Sequence, residues 1–156
     1  AVADPARGLL VALDAITDPH NFGAIVRSAV ALGADGVITL RDRAAPVTGT
    51  VVRSSAGATE HARIARVTNL AQTLARLSDA GWSCVGLAGE ADTALDAVDL
   101  TGPTVLVVGS EGEGLPDLVR KKCDIVLKLP MKGKIESLNA AVAGSVALYL
   151  AYLNRK

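Results

Sequence analysis

The sequence predicts a single α/β domain built on a parallel sheet. The chain has 156 residues, about the length of one domain, and 50% of them are hydrophobic. Short apolar runs alternate with helical patterns from end to end, and most runs lack the polar alternation of a half-exposed strand. Runs of this kind are typical of strands buried on both faces of a parallel sheet. No internal repeat or linker interrupts them, so residues 1–156 are interpreted as one domain.

Six apolar runs are predicted to be strands. They lie at residues 9–13, 36–40, 64–67, 82–87, 104–108 and 125–129. Helical patterns fall between or after them. The stronger patterns lie at residues 21–32, 69–80, 115–122 and 138–153, and a weaker one lies at 47–55. Asn21 is the expected N-cap of the first helix, and Pro116 is placed in the first turn of the third.

The last predicted helix is apolar on two faces. One face carries Val142, Val146, Tyr149 and Leu153. The other carries Ala141, Leu148, Ala151 and Tyr152. Because a helix that is apolar all round is buried on all sides, we expect part of this surface to form a homodimer. The alternative is a central core helix within one subunit.

Composition excludes several classes of protein. Sixteen basic residues balance sixteen acidic ones, so the chain does not bind nucleic acid by charge alone. Aromatic residues make up 3% of the chain. This is too few for an aromatic surface that binds single-stranded nucleic acid by base stacking. The longest apolar helical stretch is shorter than the roughly 18–20 residues that span a bilayer, and the first residues lack the pattern of a secretory signal. No membrane partner is expected.

The cysteines and histidines indicate compartment and metal chemistry. Cys84 and Cys123 cannot form a disulfide framework, which favours a reducing, cytoplasmic location. His20 and His61 are the two histidines, and neither has a cysteine or carboxylate at metal-ligand spacing. No metal site is expected.

The first of three chemically suggestive segments spans residues 21–29, NFGAIVRSA, and follows the first strand after a polar turn. Polar loops at the carboxyl ends of buried strands are where open α/β sheets bind ligands. Arg27 has Gly23 and Ala31 four residues to either side, which leaves its guanidinium room to reach a phosphate or a hydroxyl. A solvated surface arginine is the alternative.

The second segment spans residues 107–116, VVGSEGEGLP, and joins a buried strand to a helix. Its glycines permit a tight turn and close approach by a ligand. Their order, G-x-x-G-x-G, is not the dinucleotide fingerprint, and no Gly-Lys-Ser/Thr follows as in a Walker A loop. Because Glu111 and Glu113 would repel a pyrophosphate, the segment favours a ligand that is not a polyphosphate. A glycine-rich structural turn is the alternative.

The third segment spans residues 129–142, LPMKGKIESLNAAV, and opens the apolar last helix. Ser137 is the expected N-cap. Asn139 is then expected to be a buried amide, which needs hydrogen-bond partners such as an adenine or methionine moiety. Lys132 and Lys134 are interpreted as solvated loop charges.

In this order and spacing, the three segments resemble the three signature motifs of the SpoU (TrmH-like) family of SPOUT methyltransferases. Those motifs read approximately N-x-G-A-x-x-R-S-A, V-x-G-x-E-G-x-G and I/L-P-M-x-G-x-x-x-S-L-N-x-x-V-A, and the resemblance covers essentially the whole chain. Residues 13–21, 55–60 and 88–92 look most like the branch that methylates a guanosine ribose in bacterial 23S rRNA.

The resemblance implies a function and a fold. Family members transfer a methyl group from S-adenosylmethionine to a ribose 2′-oxygen of structured RNA, without a metal. Their α/β fold carries a C-terminal deep trefoil knot, and they are homodimers. The resemblance therefore implies an S-adenosylmethionine-dependent RNA (guanosine-2′-O-)methyltransferase, with rRNA as its partner and a dimer through the C-terminal helix.

Site residues follow from the same resemblance, position by position. The matched catalytic positions are Asn21, Arg27, Glu111, Ser137 and Asn139. The matched cofactor-binding positions are Leu87, Ala88, Gly89, Gly109, Leu129, Met131 and Leu138. Family proposals make the arginine the base. A guanidinium holds its proton under almost any condition, so we expect Arg27 to bind a phosphate or oxyanion, oriented by Asn21 and Glu111.

The resemblance also implies what else the chain needs. The rRNA branch carries an N-terminal RNA-binding domain, which is expected to be missing here, so the chain should bind cofactor but modify RNA poorly. The remaining candidate RNA surface holds Arg41, Arg43, Arg53, Arg63 and Arg66; a solvated face is the alternative. A tRNA guanosine target and a non-catalytic RNA-binding or dimerisation module stay open.

Overall fold

A computed structural model of the chain describes residues 5–41, 62–88, 91, 93–94, 98–110, 114–129 and 139–155. In these residues the strands are β1 (Leu9–Leu13), β2 (Gly36–Leu40), β3 (Ile64–Val67), β4 (Ser83–Leu87), β5 (Thr93–Ala94), β6 (Thr104–Val108) and β7 (Ile125–Lys128). The helices are α1 (Pro19–Ala31), α2 (Leu70–Asp79), α3 (Asp117–Lys122) and α4 (Ala140–Arg155), with a 3₁₀ turn at Pro5–Arg7.

The described strands form one parallel sheet in the order β3-β2-β1-β6-β4-β7-β5. This confirms the predicted α/β class and all six predicted strands. The fourth strand begins one residue later than predicted, and the last ends one residue earlier. The two-residue β5 was not predicted, because so short a strand carries no periodicity.

The first helix begins earlier than predicted, and the prediction of Asn21 as its N-cap is wrong. The helix starts at Pro19, and the carboxylate of Asp18 accepts a hydrogen bond of 2.8 Å from the backbone N–H of His20. Asp18 is therefore the cap, and Pro19 occupies the first helical position, which suits a residue without an N–H.

The other helices agree with the sequence to within two residues. Asn69 caps α2, its Oδ1 accepting from the N–H of Gln72 at 3.0 Å. Pro116 lies just before α3 in an extended conformation rather than inside its first turn. The weaker helix at residues 47–55 lies outside the described residues. None of the described helices is long and apolar enough to cross a membrane.

The sheet separates two hydrophobic clusters. Under α1 and α4 pack large buried side chains that include Phe22, Ile25, Leu106, Leu127 and Leu148. On the opposite face α2 and α3 cover a smaller cluster that includes Ile38, Leu74, Val105 and Val119. Because both faces are covered, the central strands read as continuous apolar runs.

Helices α1 and α4 lie side by side on the first face. The hydroxyls of Ser28 and Ser145 are 2.7 Å apart across their seam. A Cβ added at Gly144 would lie 3.6 Å from side-chain atoms of both Ile25 and Val108, so a small residue there lets α4 sit close to α1 and the sheet.

The far end of α4 is fixed at the amino edge of the sheet. The guanidinium of Arg155 donates to the carbonyl oxygens of Gly8 at 3.1 Å and Gly102 at 2.6 Å. Arg7 and Arg155 also donate to each other's carbonyl oxygens. The helix is therefore held at the starts of β1 and β6.

The last helix is not buried on all sides within this chain, so the alternative of a central core helix within one subunit is wrong. Its inward residues include Ala141, Leu148 and Ala151. Its outward residues are Val142, Val146, Tyr149, Tyr152 and Leu153, between 39% and 50% exposed. Tyr152 thus belongs to the outward group rather than to the inward face where the sequence placed it.

Two buried threonines on β2 and β6 give a matched test of polar burial. Thr39 is 0% exposed, and its Oγ1 has no hydrogen-bond partner in the described structure. Thr104 is 2% exposed, and its Oγ1 donates to the Gly102 carbonyl at 2.8 Å. An unpaired buried hydroxyl costs about 1–3 kcal/mol, whereas a satisfied one contributes about 1 kcal/mol.

We therefore expect Thr39→Val to raise the free energy of unfolding by about 1 kcal/mol and Thr104→Val to lower it by a similar amount. Urea denaturation of the two variants measures both changes. Equal losses in the two variants would show that the Thr39 hydroxyl is satisfied.

Candidate active site

The carboxyl ends of four neighbouring strands, β1, β6, β4 and β7, meet at one edge of the sheet. The residues that follow them are Asp14, Gly109, Ala88 and Leu129. The backbone N–H of Asp14 donates to the Val108 carbonyl at 2.9 Å, and that of Ala88 donates to the Leu127 carbonyl at 2.9 Å. This edge, where β1 and β6 adjoin and their onward connections diverge, is the usual ligand crevice of an open α/β sheet.

The structure brings together four of the seven predicted cofactor-binding residues. Leu87, Ala88, Gly109 and Leu129 are half-buried and lie at the ends of the adjacent strands β4, β6 and β7. The other three, Gly89, Met131 and Leu138, lie outside the described residues. The four described positions carry no charged side chain.

Two glycines of the second segment are required by the chain's own turn. A Cβ at Gly109 would lie 2.4 Å from the carbonyl carbon and oxygen of Gly114. Gly114 has φ +68°, a conformation that favours glycine, and its N–H donates to the Ser110 carbonyl at 2.9 Å. We call Gly109, Ser110, Gly114 and Leu115 the Gly109 turn. The structural-turn alternative therefore accounts for these two glycines, and the turn also lies at the ligand edge.

The amide of Asn139 joins the third segment to the first. Its Oδ1 accepts from the backbone N–H groups of Ala141 at 2.8 Å and Val142 at 3.2 Å. Its Nδ2 donates to Oδ1 of Asn21 at 3.1 Å. The predicted catalytic residues Asn21 and Asn139 are thus in direct contact, although they lie 118 residues apart in the sequence.

This arrangement corrects the expectation for Asn139. Its side chain is exposed rather than buried, and protein groups supply its partners without a ligand. It performs the N-terminal capping that the sequence assigned to Ser137, since the helix begins at Ala140. Ser137 lies outside the described residues.

Arg27 does not reach Asn21. It lies six residues further along α1, which is about 9 Å along the helix axis and a third of a turn around it. Its side chain is exposed and makes no hydrogen bond or ion pair to the described residues. The orienting contact expected between Asn21 and Arg27 is therefore not formed, and the Asn21 oxygen accepts from Asn139. Glu111 lies outside the described residues.

Asp14 was not predicted as a site residue. Its side chain is 3% exposed, and it follows the last residue of β1 at the candidate edge. Ala15 then adopts φ +56°, the one positive φ among the described non-glycine residues. The signal available in the sequence was an acidic residue placed directly after a buried apolar strand.

The two cysteines are unsuited to nucleophilic work. Burial, reinforced by the nearby Asp124 carboxylate, raises the pKa of the Cys84 thiol to about 12. The same causes raise the pKa of Cys123 to about 11. Because the thiolate is the reactive form, both side chains stay protonated and inert near neutral pH. Within the described residues, no three His, Cys, Asp or Glu side chains cluster as metal ligands.

A family model described as "SpoU rRNA Methylase family" matches residues 8–149. The chain belongs to this family. The matched range includes the strands and the helices that meet at the candidate edge. The match confirms the family resemblance that the three segments indicated.

Relatives of the chain include longer bacterial methyltransferases. It is 54% identical over 148 residues to an uncharacterized tRNA/rRNA methyltransferase of Mycolicibacterium smegmatis, covering 95% of this chain and 47% of the relative. It is 49% identical over 141 residues to the 23S rRNA (guanosine-2′-O-)-methyltransferase RlmB of Pseudomonas aeruginosa, covering 90% and 57%. The chain therefore spans about half the length of these relatives.

A solved structure has the same fold. The SpoU methyltransferase AviRb from Streptomyces viridochromogenes, in complex with the cofactor AdoMet, superposes with a TM-score of 0.88 at 35% identity. The match covers 97% of this chain and 62% of that one. This SpoU-family chain thus shares its sheet and helices with an enzyme that binds AdoMet.

The capping role of Asn139 can be separated from its bridge to Asn21. Asn139→Ala removes both, so we expect unfolding free energy to fall by about 1 kcal/mol, as for other lost N-caps. Asn139→Ser keeps a capping oxygen but is too short to reach Asn21, so most of the stability should return. Urea denaturation measures both variants.

The matched control is Asn69→Ala, which removes the same kind of cap from α2, on the opposite face of the sheet. It should lose as much stability as Asn139→Ala. An Asn139→Ser protein as unstable as Asn139→Ala would contradict the capping assignment.

Proposed function

We propose that this chain is the catalytic domain of an S-adenosylmethionine-dependent RNA methyltransferase that methylates a ribose 2′-hydroxyl, with a guanosine of 23S rRNA as its target. The observation that carries the proposal is the meeting of the Asn21–Asn139 pair with the ends of β4, β6 and β7 at one edge, in a member of the SpoU family. The identity to P. aeruginosa RlmB favours rRNA and guanosine.

The cofactor assignment follows from the chemistry of the strand ends. When bound, S-adenosylmethionine supplies an electrophilic methyl group on a sulfonium sulfur. Leu87, Ala88, Gly109 and Leu129 offer apolar side chains and backbone polar groups, which suit an adenine ring and a methionine chain better than phosphates. Gly89, Met131 and Leu138 complete the proposed site by their match to the family's cofactor-binding positions. The AdoMet complex of AviRb supports the choice of cofactor.

The catalytic groups have distinct proposed roles. Asn139 and Ser137 hold the ribose and the cofactor's methionine end, and Asn21 fixes the Asn139 amide. The exposed Arg27 guanidinium donates hydrogen bonds only, so it binds an RNA phosphate or the developing 2′-oxyanion, with Glu111 orienting it. The proton of the 2′-hydroxyl then passes to an RNA phosphate. Positioning of the nucleophile and stabilisation of its charge together lower the barrier.

The proposed fold includes the family's C-terminal trefoil knot. Strand β7 lies between β4 and β5, which are separated by residues 88–92. A chain that threads through a loop needs a strand that comes late in the sequence to lie between two earlier strands joined by a short connection. True knots are otherwise essentially absent from proteins, so this proposal depends on family membership as well as strand order.

The proposed RNA surface lies at the β2–β3 side of the sheet, beyond β1. Arg41 follows β2, and its Nε donates to the Arg66 carbonyl on β3 at 3.3 Å. Arg63 precedes β3 and is also exposed. Arg43 and Arg53 lie outside the described residues. We propose residues 1–156 as one catalytic domain, acting in the cytoplasm, whose RNA contacts are local to these arginines.

The proposed oligomer is a homodimer through the outward residues of α4. These residues are Val142, Val146, Tyr149, Tyr152 and Leu153. A contiguous exposed apolar patch marks an interaction surface, and a twofold axis lets one such patch bind its own copy.

Cofactor binding and methyl transfer test the proposed function in turn. S-Adenosylmethionine at 100 times its dissociation constant should add about 2.7 kcal/mol of stability, raising Tm by several degrees, whereas NAD should not. With deproteinised 23S rRNA and labelled S-adenosylmethionine, digestion should release 2′-O-methylguanosine. We expect a low rate, and we expect Arg27→Ala to lower it by about 10²–10³-fold.

The control for Arg27 is Arg76→Ala, because Arg76 is also an exposed arginine but lies on α2, over the opposite face. It should keep the wild-type rate. Transfer to tRNA but not to 23S rRNA would favour the second target, which the name of the M. smegmatis relative includes. A base-methylated product, or cofactor binding without transfer to any RNA, would overturn the proposed reaction.

The dimer is tested by placing a charge in the exposed patch. Val146→Glu should convert a dimer into a monomer in sedimentation equilibrium, because burying an unpaired carboxylate is costly. Leu118→Glu is the control, since Leu118 is 67% exposed on α3 and lies on the other face of the sheet. A wild-type chain that sediments as a monomer at high concentration would contradict the proposal.

A further inference from the structure

Asp14 stands apart from the other charged residues of the described chain. The buried polar side chains there belong to Asp14, Thr39 and Thr104, and Asp14 alone of the three is ionisable in the ordinary pH range. A carboxylate removed from water costs free energy unless hydrogen bonds or opposite charge compensate it. Because Asp14 is only 3% exposed, the cost of burying its carboxylate must be offset by a contact within the folded chain.

Strand pairing places Asp14 beside the Gly109 turn. Leu13 is paired with Val108 in the parallel register of β1 and β6. The next bond in the ladder runs from the Asp14 N–H to the Val108 carbonyl. The register therefore sets Asp14 opposite Gly109, the first residue of the turn.

The two features also share a face of the sheet. Strand alternation puts Asp14 on the same side as Ala12, which belongs to the cluster under α2 and α3. Leu115, the last residue of the Gly109 turn, is buried in that same cluster. The turn thus folds over the side of the sheet on which the Asp14 side chain lies.

The backbone around Asp14 is fixed on both sides. Leu13 precedes it and is fully buried, and Ile16 follows at 3% exposure. Between them Ala15 holds φ +56°, a strained conformation for a residue with a Cβ that persists only where the surroundings impose it. The backbone that carries the carboxylate is therefore held in one conformation at the end of β1.

We propose that Asp14 is a positioning residue whose carboxylate holds the Gly109 turn against the end of β1. It acts through the turn, and it touches neither cofactor nor RNA. The structural part of the proposal is independent of the proposed function. Its functional consequence, that the turn must be held for the cofactor to bind, rests on the proposed function.

Amide hydrogen exchange tests the structural part. The N–H of Gly114, bonded to the Ser110 carbonyl at 2.9 Å, reports on the turn. In Asp14→Asn its exchange should accelerate by about tenfold or more through local opening. The matched control is Asp35→Asn at the other end of β1, where Asp35 Oδ2 accepts from the Leu9 N–H at 2.8 Å. The control should leave Gly114 exchange unchanged, and unchanged exchange in Asp14→Asn overturns the proposal.

A second variant covers the case in which Asp14→Asn does not fold. Asp14→Glu keeps the charge but displaces the carboxylate by one methylene, so Gly114 exchange should again accelerate while the Asp35→Asn protein stays at the wild-type rate. A folded Asp14→Glu protein with wild-type exchange at Gly114 contradicts the proposal as directly as the first variant does.

Calorimetric titration with S-adenosylmethionine tests the functional consequence. Asp14→Asn, or Asp14→Glu in its place, should bind about tenfold or more weakly, because a displaced binding group loses its alignment, and Asp35→Asn should bind as the wild type does. A wild-type chain that binds no S-adenosylmethionine overturns the proposed function but leaves the exchange result standing. Wild-type affinity in the Asp14 variant overturns the functional consequence, that the turn must be held for the cofactor to bind.

Discussion

The pairing of β1 with β6 determines where every other part of the candidate site lies. Five residues of each strand align in parallel across a separation of about 95 residues in sequence. From this pair the sheet grows outward through β2 and β3 on one side and through β4, β7 and β5 on the other. The connections after β1 and β6 therefore emerge next to each other and diverge, and polar residues placed there face a common crevice.

The third segment reaches this crevice through the hydrogen bond between Asn139 and Asn21. The bond sets the start of α4 beside the start of α1, and the Ser28–Ser145 contact continues the alignment further along both helices. Structural roles were found beside or within each segment. Asp18, just before the first segment, and Asn139 of the third cap helices, and Gly109 and Gly114 of the second are required by its turn. These roles accompany the proposed chemistry, because a capped helix start holds a side chain in a fixed place beside the strand ends.

Much of the fold could be predicted because buried parallel strands are continuous apolar runs. The order of the strands could not be predicted, because the residues of a strand do not specify which strand it pairs with. Asn21 was taken as a cap because it opens the apolar pattern, whereas Asp18 followed by Pro19 was the better local signal. For the site, the family resemblance made Asn21 and Asn139 candidates but did not predict their contact, which joins residues 118 positions apart. Asp14 was missed because burial is a property of the folded chain.

Amide chemical-shift mapping with S-adenosylmethionine tests whether the carboxyl edge of this sheet is the cofactor site. We expect the largest shifts at Leu87, Ala88, Gly109 and Leu129, with little change at the amino edge around Asp35 and residues 99–103. Shifts concentrated at the amino edge, or none at saturating ligand, would contradict this expectation.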